Sequence, residues 1–411
     1  MRTRHARPLK FFAAGILIGA IGSGAPSVAQ ELGTSALNQI QAIYTDKAGW
    51  TPAQRKLATS LLYASRESRG LPMVQGLSPL RRIANRAGVD GEGMVVVDIR
   101  AEVTDGLLET IVRAGGRVTV ALPAYGAVRA RVPVRRLEAI AALPEVRYVT
   151  PRQGARVNTG SQTSQGDTAH AAALARTTFG IDGTGVKVGV LSDGVDTLAA
   201  RQGTGDLPPT CPQAGACVQV VAGQAGSGDE GTAMLEIVHD LAPGAKLYFA
   251  TAFNGDASFA ANIQALKNTY GCDIIVDDVT YDNEAAFQDG VIAQAVNAVR
   301  ASGALFFSSA GNSGRKDAGT SGTWEGDFLS SGTVIAPVSD FEGGNLPIHS
   351  FNGLTGGGSA NSNALTIDAD YAISLKWSDP LGGATNDYDI FLLDAGLTTL
   401  WDGSFDDQGI T

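Results

Sequence analysis

Val186-Lys187-Val188-Gly189-Val190-Leu191 runs directly into Ser192-Asp193-Gly194-Val195-Asp196. Valine-rich apolar runs of this length, closed by small polar residues, read as buried strands. From this strand onward apolar strands and helices alternate. Strands are expected at Lys246 to Thr251, Ile274 to Val276 and Ala304 to Ser308, with helices at Thr232 to Asp240, Ser258 to Tyr270 and Gly290 to Ser302. Such alternation predicts an α/β fold, a doubly wound parallel sheet with helices on both faces. Ligands in that architecture bind outside the carboxyl ends of the strands, so chemistry is sought there.

Three strand ends carry unusual residues. The first is the Ser192-Asp193-Gly194 turn. The second is Asp229-Glu230-Gly231-Thr232-Ala233-Met234, continuing to Leu241-Ala242-Pro243-Gly244-Ala245-Lys246. The third is Phe306-Phe307-Ser308-Ser309-Ala310-Gly311-Asn312-Ser313-Gly314. In this order the segments resemble those of the subtilisin and sedolisin superfamily of secreted serine peptidases. There the first carries an aspartate, the second a His-Gly-Thr or a glutamate at a helix start before Ala-Pro-x-Ala, and the third an oxyanion-binding asparagine. The resemblance implies Asp193, Glu230 and Asn312 as catalytic residues. Ser192 stands where the family's aspartate falls, with Asp193 one residue later. Glu230 stands in the histidine's place, and Met234 where sedolisins put an aspartate.

A carboxylate accepts a proton from a serine hydroxyl as imidazole does, provided a neighbour orients it. Two carboxyls held close cannot both ionise easily, so one of a pair keeps its proton. Asp193 is one partner for Glu230. Asp277 and Asp278, at the end of the Ile274-Ile275-Val276 strand, are others and line the expected binding site. The dipole of the helix that Glu230 begins favours negative charge there and works against a retained proton. Asn312 would donate a hydrogen bond to the charge developing on the attacked carbonyl. His239 sits too far along the helix from Glu230 to be the base. No loop has dense cation-ligand spacing, so no metal and no cofactor is assigned.

The family's nucleophile lies in a Gly-Thr-Ser string followed by small residues and a proline. The string ending at Ser35 precedes every other motif and reads as a helix N-cap. The string ending at Ser321 follows Asn312 too closely. The expected serine therefore lies beyond residue 411, and the 411-residue chain itself is expected to be inactive. The altered motifs keep a different class open, a secreted non-catalytic pseudoprotease that binds peptides or surfaces.

Working toward the N-terminus, residues 153 to 180 are polar and read as a linker with a helix near its end. Before it, Met94 to Arg152 orders strand, helix, strand, strand, helix, strand, the ferredoxin-like split βαβ pattern. In this position it resembles the inhibitory pro-region of subtilisin-family proteases, an intramolecular partner. Thr51-Pro52 starts a leader helix with Leu57, Leu61 and Leu62 on one face and Gly70 as its stop. Arg2, Arg4, Arg7 and Lys10, then an apolar run from Phe11 to Ile21 and Ser27-Val28-Ala29, read as a secretory signal. The run is short for a bilayer span, so a secreted, extracellular protein without a membrane span is expected.

The expected organisation is thus a signal peptide at 1–29, a helical leader at 30–90, the pro-region at 91–152, a linker at 153–180, a catalytic domain at 181–345 and a β-module at 346–411. That module is read as an inserted, truncated β-sandwich with strands at Ala372 to Trp377, Asp389 to Leu393 and Leu397 to Trp401. Cys211 and Cys217 flank a short loop that a disulfide can close, leaving Cys272 as a buried, inert thiol. A net charge of -10 argues against nucleic acid or anionic membrane as partner and leaves protein or peptide substrates.

Overall fold

The computed structural model describes residues 11–19, 33–74, 77, 87–152, 155–157, 165–319, 321–335, 346–351, 362, 364–365, 373–380, 383–394 and 396–406. The expected signal cleavage positions and most of the polar stretch at 153–164 lie outside them. The chain divides into two compact units, one comprising residues 1–152, 286–288 and 324–411 and the other residues 153–285 and 289–323.

The first unit opens with strand β1 (Phe11–Gly19), which is the apolar run of the expected export signal. Helix α1 (Thr34–Ala48) follows and contains Ser35, so Ser35 is not an N-cap; Gly33 occupies that position. The expected leader helix is two helices, α2 (Pro52–Arg55) and α3 (Thr59–Glu67). Thr51 and Gln54 close a reciprocal capping box on α2 as the Thr-Pro start predicts. The break falls at Leu57, which leaves the helical face to bridge Val149. Its side chain is fully buried there, a tertiary contact that overrides the local helical pattern.

Next come β2 (Met94–Ala101), α4 (Asp105–Arg113), β3 (Arg117–Leu122), β4 (Ala127–Pro133), the short α5 (Leu137–Ala141) and β5 (Val146–Pro151). The sheet runs β3-β4-β2-β5 with every neighbour antiparallel, which is the split βαβ order. Thr104 caps α4 by accepting the Leu107 N–H at 3.2 Å. Leu107 and Ile111 turn its apolar stripe onto the sheet. The second expected helix is shorter than its pattern, because Val134–Arg136 is a 3-10 turn.

The second unit contains β6 (Ala155–Val157), α6 (Gly166–Ala169), α7 (Ala172–Phe179), β7 (Lys187–Ser192), α8 (Leu198–Thr204), β8 (Cys217–Val220), α9 (Glu230–Leu241), β9 (Lys246–Thr251), α10 (Asp256–Asn268), β10 (Ile274–Asp277), β11 (Val279–Tyr281), α11 (Val291–Ala301) and β12 (Leu305–Ser308). Five strands form one sheet in the order β12-β10-β7-β9-β8, and every neighbouring pair is parallel. The fold is therefore α/β, and the sheet order jumps across β7. β7 and β9 are buried along nearly their whole length, which is why both read as unbroken apolar runs. Leu235 of α9 is fully buried with Val188, Val190, Leu247 and Phe249, and Met234 packs partly buried against them. Burying a leucine in this way stabilises by roughly 1.5–3 kcal/mol.

β8 escapes the sequence reading because it is four residues long, at the sheet edge, and next to a cysteine loop. Cys211 and Cys217 are joined by a disulfide at an S–S distance of 2.01 Å. Cys272 is free and buried, and burial pushes its thiol up to about 12, so it is inert.

The chain then returns to the first unit with β13 (Ser330–Ile335), β14 (Leu346–His349), β15 (Ala364–Leu365), β16 (Asn386–Leu393) and β17 (Leu400–Ser404). β1 pairs in parallel with β16 across eight residue pairs and also with β14 and β15. Two expected strands are found, each extended or shifted by three residues. The third is not, since residues 373–377 form no strand and Ala372 lies outside the described residues. Lys47 of α1 is 1% exposed and donates to Asp387 at 2.9 Å and Asp389 at 3.3 Å. Burial pushes Asp389 up to about 7, with the Lys47 ammonium opposing the rise.

Candidate functional site

The carboxyl ends of β7 and β10 lie side by side, with Leu191 in register with Asp277. One residue beyond that pair, Ser192 and Asp278 stand side by side at the ends of the two strands. On the other side of β7, Ser192 pairs with Thr251 at the end of β9. The Thr251 hydroxyl donates to the backbone carbonyl of Asp193 at 2.6 Å, and Asn262 of α10 donates to the Thr251 carbonyl at 2.8 Å. This buried polar chain holds the turn at residues 192–194.

Asp193 points from that turn to the start of α9. Its Oδ1 accepts the Gly231 N–H at 3.2 Å and also that of Gly194. A carboxylate from another strand thus takes up one of the free amides at the helix N-terminus, where the dipole favours it. Two glycines make room. Gly226 has φ +70, and a Cβ there would lie 1.9 Å from the Asp193 carbonyl oxygen. Gly228 has φ +113, and its Cβ would lie 2.0 Å from Asp193 Oδ2.

Asp229, at the N-cap position of α9, accepts from the Thr197 amide at 3.0 Å, the Thr197 hydroxyl at 2.6 Å and the Thr232 hydroxyl at 2.6 Å. Burial opposes its charge, yet these donors hold the carboxyl below its ordinary value. Asp196 adds a further clasp by accepting the Gly228 amide at 2.9 Å. Glu230 is the first residue of α9 and half-buried.

Three carboxyl groups therefore converge. Asp278 is 9% exposed, and burial raises it to about 6. The charges of Glu230 and Asp193 act in the same direction, while the Ser192 hydroxyl favours the charged form. Asp277, 4% exposed, is also raised to about 6 by burial, with Asp278 and Glu284 adding to it. Its Oδ1 accepts the Val279 N–H at 3.1 Å and the Ser308 hydroxyl at 2.9 Å. Asp277 thus ties the ends of β10 and β12 together, while Asp278 faces the carboxyl cluster.

Of the residues singled out from sequence, Asp193, Glu230 and Asp278 meet. Asp277 sits beside them in a structural contact. Asn312 lies in the exposed loop after β12, at the same end of the sheet, between Gly311 and Gly314. Among the described residues no hydrogen bond joins its side chain to the acidic cluster. Met234 packs into the core below Glu230, which leaves the position one helical turn on without a carboxylate. His239, nine residues along the helix, is about 13 Å away by helical rise. Burial lowers its pKa, and it takes no part in the cluster. Among the described residues no group of three or more His, Cys, Asp or Glu side chains has a geometry that holds a metal ion. Thr251, Asn262 and Gly226 were not legible from sequence, since each acts through a contact between distant segments.

No family model matches the chain, and no curated protein matches it. Among solved structures it is similar to the epidermin leader peptide processing serine protease of Staphylococcus aureus, at 13% identity and a TM-score of 0.37, over 54% of this chain and 61% of that one. It is also similar to a serine-to-alanine mutant of the same protein, at 12% identity and a TM-score of 0.36, over 55% of this chain and 62% of that one. The chain spans about three-fifths of the length of these structures.

Proposed function

We propose that the chain belongs to a secreted serine-type endopeptidase precursor that uses a carboxylate, Glu230, as its general base. The observation that carries this reading is the meeting of Asp193, Glu230 and Asp278 at the carboxyl ends of a parallel sheet. An Ala-Gly-Asn-x-Gly loop follows the neighbouring strand. In this reading Glu230 takes the proton of a serine hydroxyl as it attacks the peptide carbonyl, and the Asn312 amide donates to the oxygen that becomes charged. Ser192 is fully buried and Ser308 donates to Asp277, so neither is the nucleophile, which in this reading follows Thr411. The antiparallel unit from Met94 to Pro151 acts as the intramolecular inhibitor, supported by its topology and its place in the chain. Removal of residues 1–29 on export takes β1 with it. No helix among the described residues is long and apolar enough to cross a membrane.

The test begins with the reading frame past Thr411, where a Gly-Thr-Ser run with small residues and a proline is expected. The protein including it is then assayed on casein across the acid and neutral range. A rate optimum on the acid side and a loss of at least about 100-fold in Glu230→Gln are expected. A frame without that run, or activity that survives Glu230→Ala under control of a group near neutrality, refutes the reading. A second reading, a peptide-binding pseudoprotease, is favoured by the complete burial of Ser192, which stands beside Asp278 at the strand ends.

A further inference from the structure

Two carboxyl groups face Glu230 across the turn, and their surroundings differ in kind. Asp193 is an acceptor of main-chain amides: Oδ1 takes the N–H of Gly231 and of Gly194, and Oδ2 lies against Gly228 where not even a Cβ fits. Both oxygens of Asp193 are thus taken up by the main chain around the start of α9. Asp278 stands at the end of β10, buried, on the face of the sheet where Ile274 and Val276 pack with Leu235 of α9, and Ser192 is its neighbour on β7.

We propose that Asp278, and not Asp193, is the positioning residue that shares a proton with Glu230, while Asp193 fixes the start of the helix that presents Glu230. The inference rests on the reading of Glu230 as a base and adds which neighbour holds its proton. It also accounts for Met234. An acidic partner from the adjacent strand makes one on the same helix unnecessary, and the position is free to pack into the core. The charged groups facing Asp278 are Glu230 and Asp193, and those facing Asp277 are Asp278 and Glu284. Asp277 is excluded as the sharer because strand alternation turns it to the face opposite Ile274 and Val276, which pack with Leu235 of α9, and its Oδ1 is tied to Val279 and Ser308.

The test is a carboxyl-carbon NMR titration of the 411-residue chain, labelled at aspartate and glutamate, with Asp278 assigned from the signal lost in Asp278→Asn. Two interacting carboxyls give two macroscopic steps visible at both residues. In the unaltered chain, Asp278 and Glu230 are expected to show the same two steps. Glu230→Gln is expected to leave Asp278 a single step moved to lower pH, and Asp193→Asn to keep two steps at both residues while moving them to lower pH. The amide spectrum of each variant reports whether it has folded. A single Asp278 step that ignores Glu230→Gln, or one that collapses in folded Asp193→Asn, overturns the proposal. The readout needs no turnover, so failure here leaves the peptidase reading standing, and failure of that reading leaves the titration result standing.

Discussion

Asp277→Asn separates the cost of burying a charge from the value of the contact the side chain makes. In the folded chain Asp277 is raised from 3.8 to about 6, first of all by burial. At 1.36 kcal/mol per pH unit this is about 3 kcal/mol for the full passage between the protonated and ionised forms. The sign follows from linkage: the folded state binds the proton more tightly, so the contribution is complete below 3.8 and is lost as pH rises through 6. Between about pH 4 and about pH 8 the unaltered chain loses roughly 2.4 kcal/mol through this one group. Asparagine keeps the acceptor, because the Val279 amide and the Ser308 hydroxyl both reach Oδ1. The variant is therefore expected to gain about 2 kcal/mol on the unaltered chain at the higher pH relative to the lower. Comparing the two pH values removes any constant offset from the changed second oxygen. Fluorescence would report on the wrong unit, since Trp50, Trp324, Trp377 and Trp401 all belong to the first one. Hydrogen exchange at residues 274–279, corrected for the intrinsic rate and followed in denaturant, reads the second unit directly. If the difference between variant and parent is the same at both pH values, the buried charge is not what raises Asp277, and the reasoning fails.

Two further variants probe contacts that the sequence does not announce. Lys47→Ala strands Asp387 and Asp389 in the interior without their cation and is expected to destabilise the first unit by about 3–5 kcal/mol near neutral pH. The loss shrinks on acidification as Asp389, already near 7, holds its proton; urea unfolding followed by tryptophan fluorescence tests both points, and a pH-independent loss refutes the ion-pair account. Gly226→Ala forces a Cβ against the Asp193 carbonyl oxygen at a positive φ, and at least about 2 kcal/mol of destabilisation is expected. The same hydrogen-exchange readout decides it, and unchanged exchange at the Gly231 amide shows that the turn does not depend on that close approach.

The parallel α/β sheet was legible because its long strands, β7 and β9, are buried along nearly their whole length and the helices between its strands show as periodic runs. Lys246–Thr251 is predicted and observed with identical ends. The split βαβ unit was legible for the same reason, since strand alternation and the Thr104 cap are local signals. Where local pattern competed with a distant contact, it lost: Leu57 leaves its helix for a bridge to Val149. Glu230, Asp193 and Asp278 were visible in sequence as acids at strand and helix ends, but equally so was Asp277. Which of them face one another depends on the register of β7 against β10 and on a turn closed by Thr251, Gly226 and Gly228. By itself the sequence determines an α/β chain with acidic residues at the carboxyl end of its sheet, because periodicity and turn chemistry are properties of neighbours in the chain. Only the tertiary structure decides that Asp193 holds the helix start, that Asp277 ties two strands together and that Asp278 faces Glu230, because those assignments belong to residues tens of positions apart.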